Sequence, residues 1–529
     1  MLKPSVFKGH GKLAFLLLGS YLWILLSMQA IAFNVEMKPL FFALPAALGF
    51  FFSYLALRYL PEPLDRIRLC AENRHCRLFG VLIAIVTMLF LLVYFLGYYP
   101  GGMSYDSRVQ YMQAVGETPY SDWHPVLHTL LFFTLPLRIA QRFDLIILLQ
   151  LLYFSLAFGY AMYAVYKNHC PRPIALCICI YVWLNPFLFC NMMYPWKDNA
   201  MTIFATLLMG YYVQIICTRG VWLEKKLNLA VFCIAAVLCS FMRHNAVLFV
   251  APLVLLVLFY SIRKARLRIG VVAGIALLFS LVKISYTGMG IEQPGNRIVE
   301  TVGLPATIWC NVMKCNPEAL PEETRAFMYE LATQESYEND YTTGAFNSIK
   351  FKSQINTAKI NSLTYAQVLR YTYQCFRYAP NASIDALVKL TRVVWGIDGE
   401  TAPTSVYIAS NKWNIQSKIF PFFDTLVGQM NQFFSCGLGR FLFGSIGLHL
   451  LVLLAAGLCL LARGRLSLLH MLPLFFYNFG TMLLLSGEDY RFFIYCIPLW
   501  PIALFMMIRD DRKIAPSIEK TDGKGVLKA

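Results

Sequence analysis

Apolar runs and short polar connections alternate along the chain. Runs of about 20 apolar residues are long enough for a helix to span the hydrocarbon core of a bilayer. We count twelve of them, at 13–33, 39–58, 79–99, 143–166, 173–192, 199–216, 228–242, 246–262, 269–288, 441–462, 467–486 and 492–508. The pattern predicts an all-α integral membrane protein with about twelve transmembrane helices.

Two segments between the runs are long. The first contains an apolar stretch, His124 to Arg142, that is too short to span, so we predict a helix lying in the membrane interface. The second is markedly polar, with predicted helices at 321–334, 363–379 and 383–396. The sequence thus predicts an N-terminal transmembrane module at 1–288, which includes an outer catalytic loop at 100–142. A small, mainly helical extracytoplasmic domain follows at 289–440. The chain then continues with a C-terminal transmembrane module at 441–510 and a cytoplasmic tail at 511–529.

The composition agrees with a membrane location, since 58% of the 529 residues are hydrophobic and only 14% are charged. Lys and Arg concentrate in alternate short loops, and such loops stay in the cytoplasm during insertion. This distribution predicts a multi-pass protein of the cell membrane with both termini in the cytoplasm. The formal net charge of +17 then reflects orientation and contact with the lipid bilayer. Because the basic residues form no single patch, nucleic acid is not an expected partner.

Four short clusters of ionisable and polar residues interrupt the apolar chain, and the predicted topology places all four on the outer side. Ionisable groups near the bilayer are costly, so a set gathered at one surface indicates a reaction site or a substrate path. The clusters are Tyr105-Asp106-Ser107-Arg108, Tyr194-Pro195-Trp196-Lys197-Asp198, Arg243-His244-Asn245 and Glu488-Asp489-Tyr490-Arg491.

Several motifs of soluble enzymes are missing from the sequence. It has no G-x-x-x-x-G-K-[ST] phosphate loop, no G-x-G-x-x-G after a strand and no Asp-x-Asp pair. ATP-driven transport and nucleotide-sugar chemistry therefore lose support, and a substrate that is already activated and already in the membrane is favoured. The predicted outer domain contains four cysteines, which can be free thiols or form disulfides in three possible pairings: Cys310, Cys315, Cys375 and Cys436.

Three segments resemble those of GT-C fold glycosyltransferases, and in particular a largely uncharacterised group of bacterial multi-pass membrane proteins. Pro100-Gly101-Gly102-Met103-Ser104-Tyr105-Asp106-Ser107, followed by Asp122-Trp123-His124-Pro125, resembles the first outer loop of that fold. The motif Glu488-Asp489-Tyr490-Arg491, before a last run with Pro498 and Pro501, is similar to an acidic-Tyr-Arg motif of the group, and Pro305 to Leu331 resembles an outer segment. Many members carry paired acids in the first loop, whereas Ser107 and Arg108 follow Asp106 here.

The resemblance implies a GT-C-like fold and a donor sugar linked to polyprenyl phosphate. The expected reaction is inverting transfer of the sugar to an envelope glycan or lipid acceptor on the outer face, with no cofactor and no metal. Two other functions stay open. One is a transporter or flippase of a lipid-linked glycan, and the other is a non-catalytic subunit of an envelope-assembly complex.

Sugar transfer needs a carboxylate that accepts the hydroxyl proton and cations that hold the departing phosphate. Asp106 follows a Gly-Gly turn at the expected membrane surface and is our candidate base, although it could instead cap a helix. Arg243 is the best phosphate ligand because its planar fork binds two oxygens. Lys197, Asp198, His244, Glu488, Asp489 and Arg491 complete the predicted substrate-binding set. A Lys or Arg just outside a span can also simply snorkel to the interface.

Asp122, His124 and His128 form a D-x-H-x-x-x-H pattern with both histidines on one helical face. This spacing is weak evidence for a metal site, and Asp122 or His124 could cap the helix that Pro125 begins. We therefore predict substrate contact for His124 and no metal. Trp123 and Trp196 could stack on a sugar, but an aromatic belt at the membrane surface is the simpler explanation for both.

Overall fold

A computed structural model describes residues 10–33, 39–61, 64, 73–291, 298–399 and 402–509. Every regular element in these ranges is helical, and the only extended pairings are two isolated bridges, Met103 with Ile408 and Thr342 with Ala345. The prediction of an all-α protein is confirmed. The predicted tail at 511–529 lies outside the described residues.

Within the described ranges, seven helices are long and apolar enough to cross a membrane, and two bent pairs raise the number to nine. This supports a multi-pass membrane protein, while the count of twelve stays a prediction because three further apolar helices are shorter. The seven long helices are His10–Ala32, Phe42–Tyr59, Cys76–Gly97, Phe143–Lys167, Lys197–Cys217, Ala265–Gly288 and Tyr490–Arg509. The bent pairs are Arg172–Trp183 with Pro186–Met192 and Gly437–Gly444 with Ile446–Ala462. The shorter apolar helices are Val126–Ile139, Lys226–Met242 and His244–Phe259. Residues Leu472–Met482 form one more short helix within the eleventh predicted run.

The two bends have a local cause in capping side chains. Asn185 accepts a hydrogen bond from the Leu188 backbone N–H, and Pro186 begins the next helix, so the axis turns by 58°. Ser445 accepts one from the Leu448 N–H in the same way, at a 63° bend. Both breaks are therefore encoded by residues that start helices.

Burial separates the helices at the centre from those at the rim. Lys197–Cys217 is the most buried of the seven long helices and packs against Phe143–Lys167 and Lys226–Met242. Ala265–Gly288 is the least buried and presents apolar side chains outward. Because Lys197–Cys217 is surrounded by protein, the charged residues at its first turn face the interior of the molecule and not lipid.

The polar segment after Ala265–Gly288 forms its own hydrophobic cluster, between Val299 and Ala386 and centred on residues such as Trp309 and Met328. The three helices predicted there are confirmed with shifted ends. Helices of this region are Gly303–Cys315, Glu322–Leu331, Gln334–Asn339, Phe346–Lys350, Thr357–Asn361, Tyr365–Tyr378 and Pro380–Trp395. All four cysteines of this segment are free thiols.

The rest of that segment returns to the membrane helices. Residues 402–419 are extended and run beside the first predicted outer loop, where Met103 N–H donates to Tyr407 O at 3.0 Å. The helix Pro421–Phe434 then packs on Cys76–Gly97. The first loop itself contains the helix Tyr105–Ala114 and the consecutive helical turns Val126–His128, Thr129–Thr134 and Leu135–Ile139, so the stretch predicted as an interfacial helix is helical.

Candidate functional site

All four polar clusters of the sequence meet at one place. Tyr105–Ala114 supplies Asp106 from its first turn, and Lys197–Cys217 supplies Lys197 and Asp198 from its first turn. Arg243 ends Lys226–Met242, and the short helical turn Tyr490–Phe493 supplies Arg491. We call this set, with Asp489, the charged cluster.

Arg491 is the hub of the charged cluster. Its Nη1 lies 2.9 Å from Asp106 Oδ2, and its Nε lies 2.9 Å from Asp489 Oδ2 and 3.8 Å from Asp198 Oδ2. Its guanidinium also lies 4.9 Å from the centre of the Trp196 ring. One cation thus holds three carboxylates from three distant parts of the chain. Asp198 and Asp489 thereby lie close to Asp106 in space, although the first loop contains no second acid beside Asp106.

Arg243 forms an ion pair with Asp198 deep in the protein, where their side chains are 6% and 2% exposed. The guanidinium carbon lies 3.8 Å from the centre of the Phe492 ring. A residue that snorkels to the interface would be exposed, so that alternative does not describe Arg243. Its Nε has no hydrogen-bond partner among the described residues, which leaves one donor of the fork unused.

Lys197 differs from the two arginines. It is partly exposed, and it makes no hydrogen bond or ion pair with any residue in the part of the chain that the structure describes. Its charge nevertheless acts on Asp106 and on His124. An ammonium group without a partner beside a buried cluster is suited to bind an anion.

Asp106 is not the cap of its helix. The cap is Ser104, whose hydroxyl accepts a hydrogen bond from the Ser107 N–H at 3.3 Å, and Asp106 lies in the first turn with its side chain 35% exposed. Burial alone would raise the pKa of Asp106, but the charges of Arg491, His124 and Lys197 lower this pKa to about 2. The carboxylate is therefore ionised and reachable, and it is a weak base while Arg491 holds it.

His124 is 5% exposed, and its Nδ1 has no hydrogen-bond partner among the described residues. Burial, and next the charge of Lys197, lower the pKa of His124 to about 4, so the ring is neutral at neutral pH. It is close enough to Asp106 and Arg491 for their charges to act on it. His124 can therefore offer a neutral ring nitrogen to a substrate but no positive charge to a phosphate.

The other members of the D-x-H-x-x-x-H pattern have structural partners. Asp122 Oδ1 accepts a hydrogen bond from the Val126 N–H at 3.3 Å, while Pro125 occupies the N-cap position of that helix. His128 Nδ1 lies 2.8 Å from Gln110 Nε2 inside the protein. Within the described ranges, no group of three or more His, Cys, Asp or Glu side chains is placed to hold a metal ion.

Two residues of the predicted substrate-binding set lie at the edge of the site. His244 Nε2 lies 3.2 Å from Asp122 O, a contact that joins the first loop to the turn after Lys226–Met242. Glu488 is exposed, and it is Asp489 that pairs with Arg491. The structure thus gives His244 a positioning contact and leaves Glu488 outside the charged cluster.

Sequence reasoning missed the support of the site. Trp196 donates from Nε1 to Ser104 Oγ at 2.8 Å and stacks on Tyr194 with ring centres 4.0 Å apart. Tyr194 OH in turn accepts the Tyr407 N–H at 2.7 Å. The Trp196 ring thus lies between Ser104, Tyr194 and Arg491, and its place in an aromatic belt stays a prediction. No sequence signal marks Tyr407 or its extended neighbours.

The Gly-Gly turn before Asp106 is required by close packing. Gly101 has a φ of +104°, which favours glycine, and a Cβ on Gly102 would collide with the Tyr194 ring. The Gly102 N–H donates to Met193 O at 2.8 Å. The turn thereby fixes the first cluster against the second.

Comparison of the chain with protein families, with curated proteins and with solved structures finds no match. The GT-C resemblance accordingly rests on the motifs given above.

Proposed function

We propose that this protein is an inverting membrane glycosyltransferase of GT-C type. It transfers a sugar from a polyprenyl-phosphate donor to an envelope glycan or lipid acceptor on the outer face of the cell membrane. The observation that carries the proposal is the set of unused donors around a reachable carboxylate. Lys197, Arg243 Nε and His124 Nδ1 all lie in or beside the charged cluster that contains Asp106.

In the proposed reaction Asp106 accepts the proton of the acceptor hydroxyl as that oxygen attacks the anomeric carbon of the donor sugar. The bond from the anomeric carbon to the phosphate oxygen breaks, and polyprenyl phosphate leaves with the electron pair. Arg243 and Lys197 stabilise the charge that develops on the phosphate. A single displacement of this kind inverts the anomeric configuration.

The low pKa of Asp106 adds a condition to this scheme. A carboxylate whose pKa is about 2 is a poor proton acceptor, because efficient general bases have a pKa nearer to the working pH. A donor phosphate that binds Arg491 would compete with Asp106 for the guanidinium. Weakening of the 2.9 Å contact would raise the pKa of Asp106 when the donor is in place. Binding of the donor would therefore make Asp106 a stronger base.

The proposed topology has twelve spans, with both termini in the cytoplasm and with the charged cluster and residues 289–440 outside. The predicted excess of Lys and Arg in alternate loops supports it. Three of the proposed spans are short for a bilayer crossing: Lys226–Met242, His244–Phe259 and Leu472–Met482.

The test is to incubate the purified protein with a panel of polyprenyl-phosphate sugars and membrane glycan acceptors, and to measure the release of free polyprenyl phosphate. We expect release from at least one donor and loss of release in Asp106→Asn. If no donor is consumed but a labelled lipid-linked glycan crosses a proteoliposome bilayer, the protein is a flippase. If neither occurs and donor does not bind, the proposal of an enzyme is wrong.

A further inference from the structure

A cavity of about 980 Å³ opens beside the charged cluster, at the other end of the helix that carries Asp106. Its walls are the last turn of Tyr105–Ala114, residues 115–120, the end of the helical turn Leu135–Ile139 and the ring of Trp413. None of the residues of the charged cluster lines it. The volume is at the upper end of the roughly 300–1,000 Å³ typical of ligand sites.

Two aromatic rings form an apolar surface on the cavity wall. Tyr111 and Trp413 have ring centres 4.8 Å apart at an angle of 62°. The Trp413 indole N–H donates to Glu117 Oε1 at 2.9 Å, and Lys412 Nζ lies 3.0 Å from the other oxygen of Glu117. The carboxylate thus holds the tryptophan ring in place, and its two oxygens are already used.

Gln113 supplies a buried polar atom that has no partner. The side chain is 4% exposed and lines the cavity, and its Oε1 makes no hydrogen bond within the described residues. A buried amide oxygen without a partner costs about 1–3 kcal/mol. Because Oε1 is shielded from solvent, a ligand hydroxyl would remove this cost by donating to Oε1 after the amide turns toward the cavity. Arg138 and Gln141 add polar groups at the exposed rim.

We propose that this cavity binds a saccharide unit of the acceptor, an inference that rests on the proposed function. The apolar faces of sugar rings pack on tryptophan and tyrosine, and sugar hydroxyls donate to amide oxygens. A lipid chain would leave the buried amide oxygen of Gln113 without a hydrogen-bond donor. The occupant is therefore a polar molecule with apolar faces, which is the chemistry of a glycan.

The position of the cavity agrees with such a role. Asp106 and Gln113 are seven residues apart on one helix, which corresponds to about 10 Å along its axis. A short oligosaccharide anchored at Gln113 can bridge that separation and bring a hydroxyl to Asp106. The same rigid helix then sets the distance between anchor and base.

The test uses Gln113→Leu, which keeps the approximate shape of the side chain and removes the amide. Gln416→Leu makes the same change on the extended segment but outside the cavity, and is the control. Fluorescently labelled, detergent-solubilised full-length proteins are applied to a glycan array. In parallel, the release of polyprenyl phosphate from donor is measured with and without the glycans that the array identifies.

We expect the parent and Gln416→Leu to retain a defined set of glycans, and Gln113→Leu to lose about tenfold in affinity. Donor hydrolysis without acceptor should be the same in the parent and in Gln416→Leu. Trp413→Phe, which keeps a ring but loses the bond to Glu117, should also weaken glycan binding, so the result does not depend on one variant. Each variant is first checked for an unchanged melting temperature.

The outcomes separate the two proposals. If the parent retains no glycan, or if Gln113→Leu and Trp413→Phe both retain glycans as the parent does, the cavity is not a saccharide site. If glycans bind through Gln113 but no donor releases polyprenyl phosphate, the saccharide site stands and the glycosyltransferase proposal fails. If donor is consumed while acceptor affinity is insensitive to both variants, only the inference about the cavity is wrong.

Discussion

Arg491 Nη1 lies 2.9 Å from Asp106 Oδ2, although 385 positions separate the two residues in the chain. The contact joins the first predicted outer loop to the turn before the last apolar helix. Because Arg491 also holds Asp489, two of the three guanidinium nitrogens, Nη1 and Nε, contact carboxylates. The state of Asp106 therefore depends on what Arg491 binds.

Replacement of Asp106 by Asn tests its assignment as the base. Ser104 caps the helix, so the change leaves the cap intact. An amide cannot take up a proton, and loss of such a base typically lowers the rate by about 10²–10⁴. We expect turnover to fall by this factor while binding of the polyprenyl-phosphate sugar is retained or strengthened, since Arg491 becomes free for phosphate. Turnover and donor binding are measured on the same preparation.

The matched control is Asp340→Asn, which removes a carboxylate that pairs with Lys352 at 3.1 Å outside the charged cluster. It should behave as the parent in both measurements. Unchanged turnover in Asp106→Asn would remove this residue from the mechanism. Loss of binding together with turnover would instead indicate that the pair with Arg491 holds the site together.

The sequence allowed the site to be predicted only at the level of its clusters. Charged residues in an apolar chain are costly, so Asp106, Lys197, Arg243 and Arg491 were conspicuous in the sequence. Their pairing was not predictable, because it depends on how helices hundreds of residues apart pack. The alternative that Asp106 caps its helix could not be excluded from the sequence, since Ser104 and Asp106 are both good caps and only the backbone decides between them.

The membrane helices were predictable from the length of their apolar runs, but their ends and bends were not. Apolar length identified each run, but the bends at Asn185 and Ser445 shorten two of them through side-chain hydrogen bonds. The support from Tyr407 had no signal at all, because its contribution is a backbone N–H that any residue except proline can donate.

The proposed topology can be checked by labelling single cysteines in a background without other cysteines. Tyr105 and Glu488 are exposed at the proposed outer surface, and Val221 and Lys264 are exposed in the predicted cytoplasmic loops. We expect a membrane-impermeant maleimide to label Tyr105→Cys and Glu488→Cys in intact cells, and Val221→Cys and Lys264→Cys only after permeabilisation. Labelling with the opposite sidedness would place the charged cluster in the cytoplasm and contradict an outward-facing reaction.

The low pKa of His124 predicts a specific pH dependence of stability. The pKa falls from 6.5 to about 4 on folding, so between these values the unfolded chain binds a proton that the folded protein does not. This residue therefore destabilises the fold progressively as the pH falls from about 6.5 to about 4, and no further below that. We expect the melting temperature in detergent to fall less between pH 7 and pH 4.5 for His124→Asn than for the parent. Parallel curves for the two proteins would show that the pKa of His124 does not change on folding.

Variants of the buried pair of Arg243 and Asp198 can distinguish a role in stability from a role in donor binding. Removal of one partner of a buried ion pair typically costs about 3–5 kcal/mol, because the other charge is left without compensation. Arg243→Met should therefore be strongly destabilised in denaturant titrations, as should Asp198→Leu. The double variant Arg243→Met with Asp198→Leu removes both charges and should recover most of the lost stability.

It should nevertheless bind the polyprenyl-phosphate sugar weakly, since the guanidinium with its unused Nε is gone. A double variant that regains stability and also binds donor as the parent does would reduce Arg243 to a structural residue and leave Lys197 and Arg491 as the phosphate ligands.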